Sequence, residues 1–423
     1  MRFQFRNRSH AVAVSLALLA GPATARADVV LDWNAIAVRT LTTQPAPGVN
    51  PFAQARFMAI TQLAVFEAVN AVEGGRESHL GTVAPAPGAS AEAAAIAAAH
   101  QVLVTYFSSA ANLAVLDGER ATSLALIPDG PAKDAGIAVG EAAALAMIAS
   151  RANDGSAPLP NYLPPATLPA GAWALTPGCA GGVLFGWSGV RPFGIPNTAD
   201  FILNPPPALT SELYLKDLRE VQSVGAADSV QRPLDRSDVA RFYASVSPSW
   251  LANLAARQMS SARGDSLADN AWALALLNMA INDSLVVSFA TKYQYKLWRP
   301  VTAIRLADDD GNDKTTSDPL FTPFISTPCF PSYPSNHAAG TNSGLEVLRR
   351  VYGAAGHSLT LQHPALPLTL DYSALNQISN DVDDARVYGG IHFRFDQVEG
   401  GRLGREVATY VCKHNLRKTN GQN

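Results

Sequence analysis

The chain has 423 residues, 48% of them hydrophobic and 16% charged, with 29 Pro and 31 Gly. That composition excludes a disordered tail, a collagen-like repeat and a small disulfide scaffold. The balance of 32 basic against 35 acidic residues excludes a nucleic-acid binder working by bulk charge. Residues 1–27 read as a secretory signal peptide. Arg2, Arg6 and Arg8 form a basic start, the apolar run after them is too short to span a bilayer, and Ala25-Arg26-Ala27 is a small-x-small cleavage site. No later apolar run is uninterrupted over a spanning length, so the expectation is an exported protein without a membrane span, periplasmic or secreted.

Helical patterning dominates the rest. Pro51 to Val72 carries apolar residues at three-and-four spacing (Phe57, Ile60, Leu63, Ala64, Ala68) and predicts a helix. Ser90 to Phe107 predicts a second, with Ser90 as N-cap, and Asp134 to Ala152 a third, stopped by Asp154-Gly155. From Ser156 to Pro207 frequent prolines forbid a long helix, while Trp173, Phe185, Trp187 and Phe193 point to a packed loop. Loops longer than about 15 residues in a compact protein are usually functional, so this one is expected to line or cover a site; an irregular surface wrap is the plainer alternative. Further helices are predicted at 213–224, 237–243, 251–257, 266–296 with Ser266 as N-cap, 338–352, 372–388, and from Gly389-Gly390 to Lys413. Strand patterns are short, at 359–361 and 366–370. The fold class is all-α: helical bundles, two four-helix-like ones side by side, with long Pro-rich ordered loops, in a single domain from residue 28 to 423.

Three cysteines, Cys179, Cys329 and Cys412, allow at most one pair within the chain. A Cys179–Cys329 bridge would tie the long loop to the segment before Phe330, though Cys serves equally as a small buried apolar residue. The run Asp308 to Asp313 has acidic residues around a glycine but lacks the terminal glutamate of a calcium loop. His357 and His363 fall in a polar stretch and are expected to be exposed. Asp283 is placed either against an arginine or on a solvated face.

Three short segments carry complementary chemistry: Lys292 to Pro300, Pro331 to Ala338, and Arg386 to Asp396. Lys292, Arg299 and Arg386 make a cationic cluster suited to a tetrahedral oxyanion. Ser335 precedes a helix start, where free backbone N–H groups bind anions. His337 and His392 offer a nucleophile or metal ligand and a general acid–base. Gly389-Gly390 breaks the chain between Arg386 and His392 so that both can face inward, and Asp396 is placed to orient His392.

The spacings K-x6-R-P, P-S-x-H and R-x5-H-x3-D resemble the three-part signature of vanadium-dependent haloperoxidases and the type 2 phosphatidic-acid phosphatase and bacterial acid phosphatase superfamily. Asn336 stands where that signature has glycine, and Ala385 where it has serine. The resemblance implies that Lys292, Arg299, Ser335, the Asn336 amide and Arg386 hold vanadate, or phosphate in the same place, with the amide kept because Asn tolerates left-handed dihedrals. It implies His392 as the vanadium ligand and His337 as acid–base, with Lys292 and Asp396 assisting catalysis. The implied reaction is oxidation of bromide, or of chloride, by hydrogen peroxide through a His-ligated peroxovanadate, with a halide or small organic substrate as partner. Phe330 resembles the apolar residue of chloride-oxidising members. The alternative is a secreted phosphatase working through a phosphohistidine at His392; a third reading is oxyanion capture without turnover. Self-association is left open.

Overall fold

The computed structural model describes residues 28–42, 49–364 and 366–419; the signal-peptide expectation for residues 1–27 lies outside them. Among the described residues are thirteen α-helices and one two-stranded antiparallel sheet, in agreement with the all-α reading.

The N-terminal helices are α1 (Val29–Thr42), α2 (Pro51–Glu73), α3 (Ala91–Tyr106), α4 (Ala110–Leu124) and α5 (Pro131–Ser150). Asn50 and Ser90 cap α2 and α3 by accepting from backbone N–H groups, and Pro51 starts α2 where a missing N–H costs nothing. The pattern misses α4, which buries only Asn112 and Leu116 and so shows no apolar stripe. It also misses α1.

The C-terminal helices are α6 (Glu212–Val224), α7 (Leu234–Ser245), α8 (Pro248–Arg263), α9 (Leu267–Tyr295), α10 (Pro300–Arg305), α11 (Asn336–Tyr352), α12 (Leu375–Tyr388) and α13 (Arg394–His414). The central α9 packs against α11 and α13, and α2 lies along it, so the two groups share one continuous core. Both α2 and α9 are long and apolar enough to cross a membrane, but 78% and 94% of their apolar stretches are buried inside the protein. They are core helices. α11 and α13 meet at backbone distance: a Cβ at Gly404 would lie 2.2 Å from the Ala339 carbonyl oxygen, and one at Gly400 2.5 Å from that of Ser335. That contact fixes the second and third sequence segments against each other.

Several boundaries differ from expectation: α8 covers Pro248–Arg263 rather than 251–257, and α7 covers Leu234–Ser245 rather than 237–243. Strands β1 (Ala355–Gln362) and β2 (Thr369–Ala374) pair with Leu359 opposite Tyr372, so α12 begins at Leu375 rather than 372. α11 begins at Asn336, two residues early, because Ser335 is its N-cap and accepts from the Ala338 N–H. His357 and His363 are half-buried rather than exposed; the His363 ring lies 5.3 Å from that of Trp250.

The Pro-rich segment is ordered, with short 3-10 turns at Phe185–Gly189 and Ala199–Phe201 and with Trp173, Trp187 and Phe193 buried. Cys179 and Cys329 form a disulfide, their Cα atoms 5.5 Å apart across 150 residues of sequence. Closing a loop of that length contributes about 5 kcal/mol on the chain-entropy account. Asp283 provides the second anchor. Its carboxylate accepts from the backbone N–H groups of Phe193 (2.7 Å), Gly194 (2.6 Å) and Ile195 (3.1 Å). It pairs with neither an arginine nor solvent, which corrects both alternatives offered for it. In the acidic run, Asp308 and Asp310 accept from local backbone and hydroxyl donors, and no metal-ligating group of His, Cys, Asp or Glu occurs among the described residues.

Asp383 on α12 has a buried Oδ1 with no hydrogen-bond partner. Burial pushes its carboxyl up to about 7, against the pull of Arg394. A carboxyl raised on folding contributes stability below its unfolded pKa near 4 and loses that contribution as pH rises to 7. Asp383→Asn should therefore raise the melting temperature at pH 8 and give no advantage at pH 4, as read by thermal unfolding at the two pH values.

Candidate active site

The three segments converge. Lys292, in the last turn of α9, is fully buried; its Nζ donates to the carbonyls of Pro331 (2.8 Å) and Ser332 (2.6 Å). Two of its three protons are thus used, and one is left. Arg299 is the N-cap residue of α10. Its Nε donates to the Phe330 carbonyl (2.8 Å) and its Nη1 to the Ile391 carbonyl (2.9 Å) and His392 Nε2 (3.0 Å), while Nη2 is buried without a partner. Arg386, near the end of α12, reaches the Tyr243 carbonyl through Nη1 at 3.5 Å and leaves Nε unpartnered.

These cations are crowded. Burial pushes Arg299 down to about 9 and Arg386 down to about 10. Burial, then Arg299, holds Lys292 well below the usual lysine range. Asp396 is the carboxylate that attracts Lys292 and Arg299. Such a cluster favours an added anion, because an anion relieves the mutual repulsion of the cations and satisfies the donors left over.

Gly389 and Gly390 do what the sequence suggests. α12 ends at Tyr388, Gly390 has φ +77°, and a Cβ there would lie 2.2 Å from the Gly225 carbonyl oxygen. The chain turns, and His392 enters the site ahead of α13. Asp396 is the third residue of that helix. Its Oδ2 accepts from His392 Nδ1 (2.8 Å), Ser332 Oγ (2.5 Å) and the Phe393 N–H (3.2 Å). Arg299 can only donate, so the hydrogen-bond network assigns the lone pair of His392 to Nε2 and the proton to Nδ1, on Asp396. Burial, then Arg299 and Lys292, keeps His392 well below the ordinary histidine range. It is a neutral imidazole with Nε2 turned to the cations.

His337 lies in the first turn of α11, its Nε2 3.2 Å from the Val246 carbonyl. The Val246 and Tyr243 carbonyls favour its protonation, but burial and Arg386 outweigh them and push it down to about 3. Asn336 does not use a left-handed conformation: it is helical, and the residues with positive φ other than glycine are Leu184, Lys296 and Leu416 among those described. Its Oδ1 accepts from Ser288 Oγ (2.7 Å), and its Nδ2 is buried without a partner. Ala385, in place of the expected serine, is buried in the core.

Sequence reasoning passed over Ser332 and Ser288. Ser332 lies within the second segment, and Ser288 stands one turn before Lys292 on the same face of α9, so both were within reach of the spacing argument. Phe330 meets Phe289 edge-to-face (5.2 Å between centroids), and the Lys292 ammonium and Arg299 guanidinium lie 5.3 and 5.0 Å from its ring centre. A cleft of about 780 Å³ opens onto this cluster, and Phe330, Asn336, His337, Arg386 and His392 are among its wall residues. Leu184 of the Pro-rich segment is also a wall residue, as expected for a loop that lines a site.

Residues 273–421 match the family model for the vanadium chloroperoxidase second helical-bundle domain. The fold is that of solved vanadium-dependent haloperoxidases. A solved bacterial vanadium-dependent iodoperoxidase superposes with a TM-score of 0.77 at 22% identity, covering 94% of this chain and 97% of that one. A bacterial vanadium-dependent chloroperoxidase in its apo form gives 0.70 at 15% identity, covering 90% and 98%. In sequence, 95 residues are 33% identical to vanadium chloroperoxidase of Curvularia inaequalis. That stretch is 20% of this chain and spans only 15% of the length of that relative.

Proposed function

We propose that the protein is a vanadate-dependent haloperoxidase that oxidises bromide, and chloride where Phe330 permits, with hydrogen peroxide. The observation that carries this reading is the set of buried polar atoms left over in the three converging segments: Arg299 Nη2, Arg386 Nε and Asn336 Nδ2 have no partner, and Arg299 Nη1 meets His392 Nε2 at 3.0 Å. Spare buried donors on cations beside an imidazole lone pair fit an oxyanion whose central atom His392 would ligate.

In this reading Lys292, Arg299, Arg386, Ser335 and the first-turn N–H groups of α11 hold the oxygens of vanadate, aided by the helix dipole. Bound vanadate supplies a Lewis-acidic centre that activates peroxide toward a two-electron oxidant. Asp396 keeps the proton of His392 on Nδ1 and so keeps Nε2 available. His337, neutral in the free protein, takes up a proton from the bound oxidant or returns one to it. Phe330 and Phe289 exclude water from one side of the cations, which strengthens every charge interaction there. The disulfide supports an oxidising compartment outside the cytoplasm, in keeping with the signal peptide expected at residues 1–27. Asn336 Nδ2, held by Ser288, adds a donor where the resembling signature has glycine. Asn336→Asp replaces that donor by a negative charge and should weaken orthovanadate binding about a hundredfold or more, measured by isothermal titration.

The experiment that tests the function uses protein freed of anions and divided in two. One half receives orthovanadate, hydrogen peroxide and bromide with a halogen-accepting dye. The other receives a chromogenic phosphate monoester. Dye bromination that requires vanadate supports the proposal. Phosphate release inhibited by vanadate, without bromination, overturns it in favour of a phosphohistidine at His392.

A further inference from the structure

The cleft is much larger than its floor requires. A volume of about 780 Å³ falls within the ~300–1,000 Å³ typical of pockets for small organic ligands, whereas a tetrahedral oxyanion and a halide fill a small part of it. Its outer walls are apolar and come from separate parts of the chain: Phe52 of α2, Leu184 of the Pro-rich segment, Leu285 of α9, Phe324 and Ile325 before the second motif, and Leu366 of the β-hairpin. The charged and titratable wall residues are Arg241, Arg386, His337 and His392, and no acidic residue is among the described wall residues. Apolar surface combined with positive charge on the walls selects a ligand that is itself apolar and anionic.

Arg241 on α7 lies at the open end. Its guanidinium lies 4.8 Å from the centre of the Phe324 ring, which also carries Arg232 at 3.8 Å. Its ion pair is with Asp238 at 3.1 Å, both side chains being 61% exposed. An exposed pair of this kind holds its partners weakly, so exchanging Asp238 for a ligand carboxylate costs little. Arg386 and the other cations lie at the closed end, where the halogen chemistry would occur.

Resting on the haloperoxidase reading of the same site, we infer that the outer cleft binds an aromatic carboxylate as the halogen acceptor, with its ring on the apolar walls and its carboxylate on Arg241. Halogen transfer then takes place on a bound substrate instead of through hypohalous acid lost to solvent. The transfer balances as arene C–H, halide, hydrogen peroxide and one proton giving arene C–halogen and two waters. The peroxide is reduced, the halide is oxidised, and the ring proton passes to water.

The test uses 1-hydroxy-2-naphthoate and its neutral counterpart 1-naphthol. Isothermal titration of the full chain should give saturable binding of the naphthoate at about 100 μM or tighter. Binding of 1-naphthol should be about tenfold weaker, and Arg241→Glu should weaken the naphthoate about tenfold or more. Bromination by the vanadate-loaded protein should give a regioisomer ratio different from that of added hypobromous acid. Absence of naphthoate binding up to about 1 mM, equal affinity for the two probes, or an unchanged affinity in Arg241→Glu overturns the inference. So does a regioisomer ratio identical to the reagent's. Oxidation of iodide to triiodide needs no organic acceptor and checks the underlying reading separately. Triiodide formed without naphthoate binding overturns the subsite alone, and naphthoate binding without triiodide overturns the assignment as a halogen acceptor.

Discussion

His392→Ala should abolish vanadate-dependent bromination, and Asp396→Asn should lower it by about a hundredfold to ten-thousandfold while leaving the chain folded. The two variants remove different things. The first deletes the imidazole lone pair that Arg299 Nη1 meets at 3.0 Å. The second keeps the shape but replaces the oxygen that accepts from His392 Nδ1 at 2.8 Å with a group that can donate, so the imidazole no longer holds its proton on the far nitrogen. Steady-state rates with and without orthovanadate, together with circular dichroism, check both. Asp396→Asn at wild-type activity would mean that Arg299 alone fixes the imidazole. The result would also remove the need for Ser332, whose hydroxyl shares the same carboxylate oxygen at 2.5 Å.

Asp283→Ala should destabilise the protein by about 3–5 kcal/mol, measured by urea unfolding. The substitution leaves three backbone N–H groups at 193–195 without their acceptor, and each buried donor left unmade costs about 1–3 kcal/mol before local relaxation. Asp283→Asn keeps one acceptor oxygen and should lose roughly half as much. Burial raises the Asp283 carboxyl above its ordinary range, while the three N–H groups oppose that shift. A carboxyl raised on folding contributes its stability below the unfolded pKa near 4 and loses it as pH rises. The advantage of the wild-type residue over Asn should therefore be smaller at neutral pH than a count of hydrogen bonds suggests.

The helices legible in the sequence are α2, α3, α5 to α9 and α11 to α13, and the longest of them, α2 and α9, bury a broad face. α4 was not, since two buried residues make no period. The hairpin was read as two fragments because its strands alternate irregularly and β2 runs directly into α12. At the site, Lys292, Arg299, Ser335, Arg386, His392 and Asp396 were all legible, since fixed spacing on and beside helix ends carries them. What spacing could not give was which atom of each group is already engaged. That Lys292 donates to Pro331 and Ser332, or that Asn336 is helical and clamped by Ser288, depends on carbonyls and hydroxyls brought in from elsewhere in the chain. Asp283 was not legible as a loop anchor, because its partners are main-chain groups 88 to 90 residues away.

The Pro-rich segment is fastened on both sides of Leu184, by the disulfide at Cys179 and by the Asp283 clamp at 193–195. Between those fixings Leu184 faces the cleft without holding any member of the cation cluster. Natural variation can therefore work on the shape of the cleft wall while the chemistry on its floor is inherited unchanged. Lineages that differ in what they accept should differ between these two fixings first.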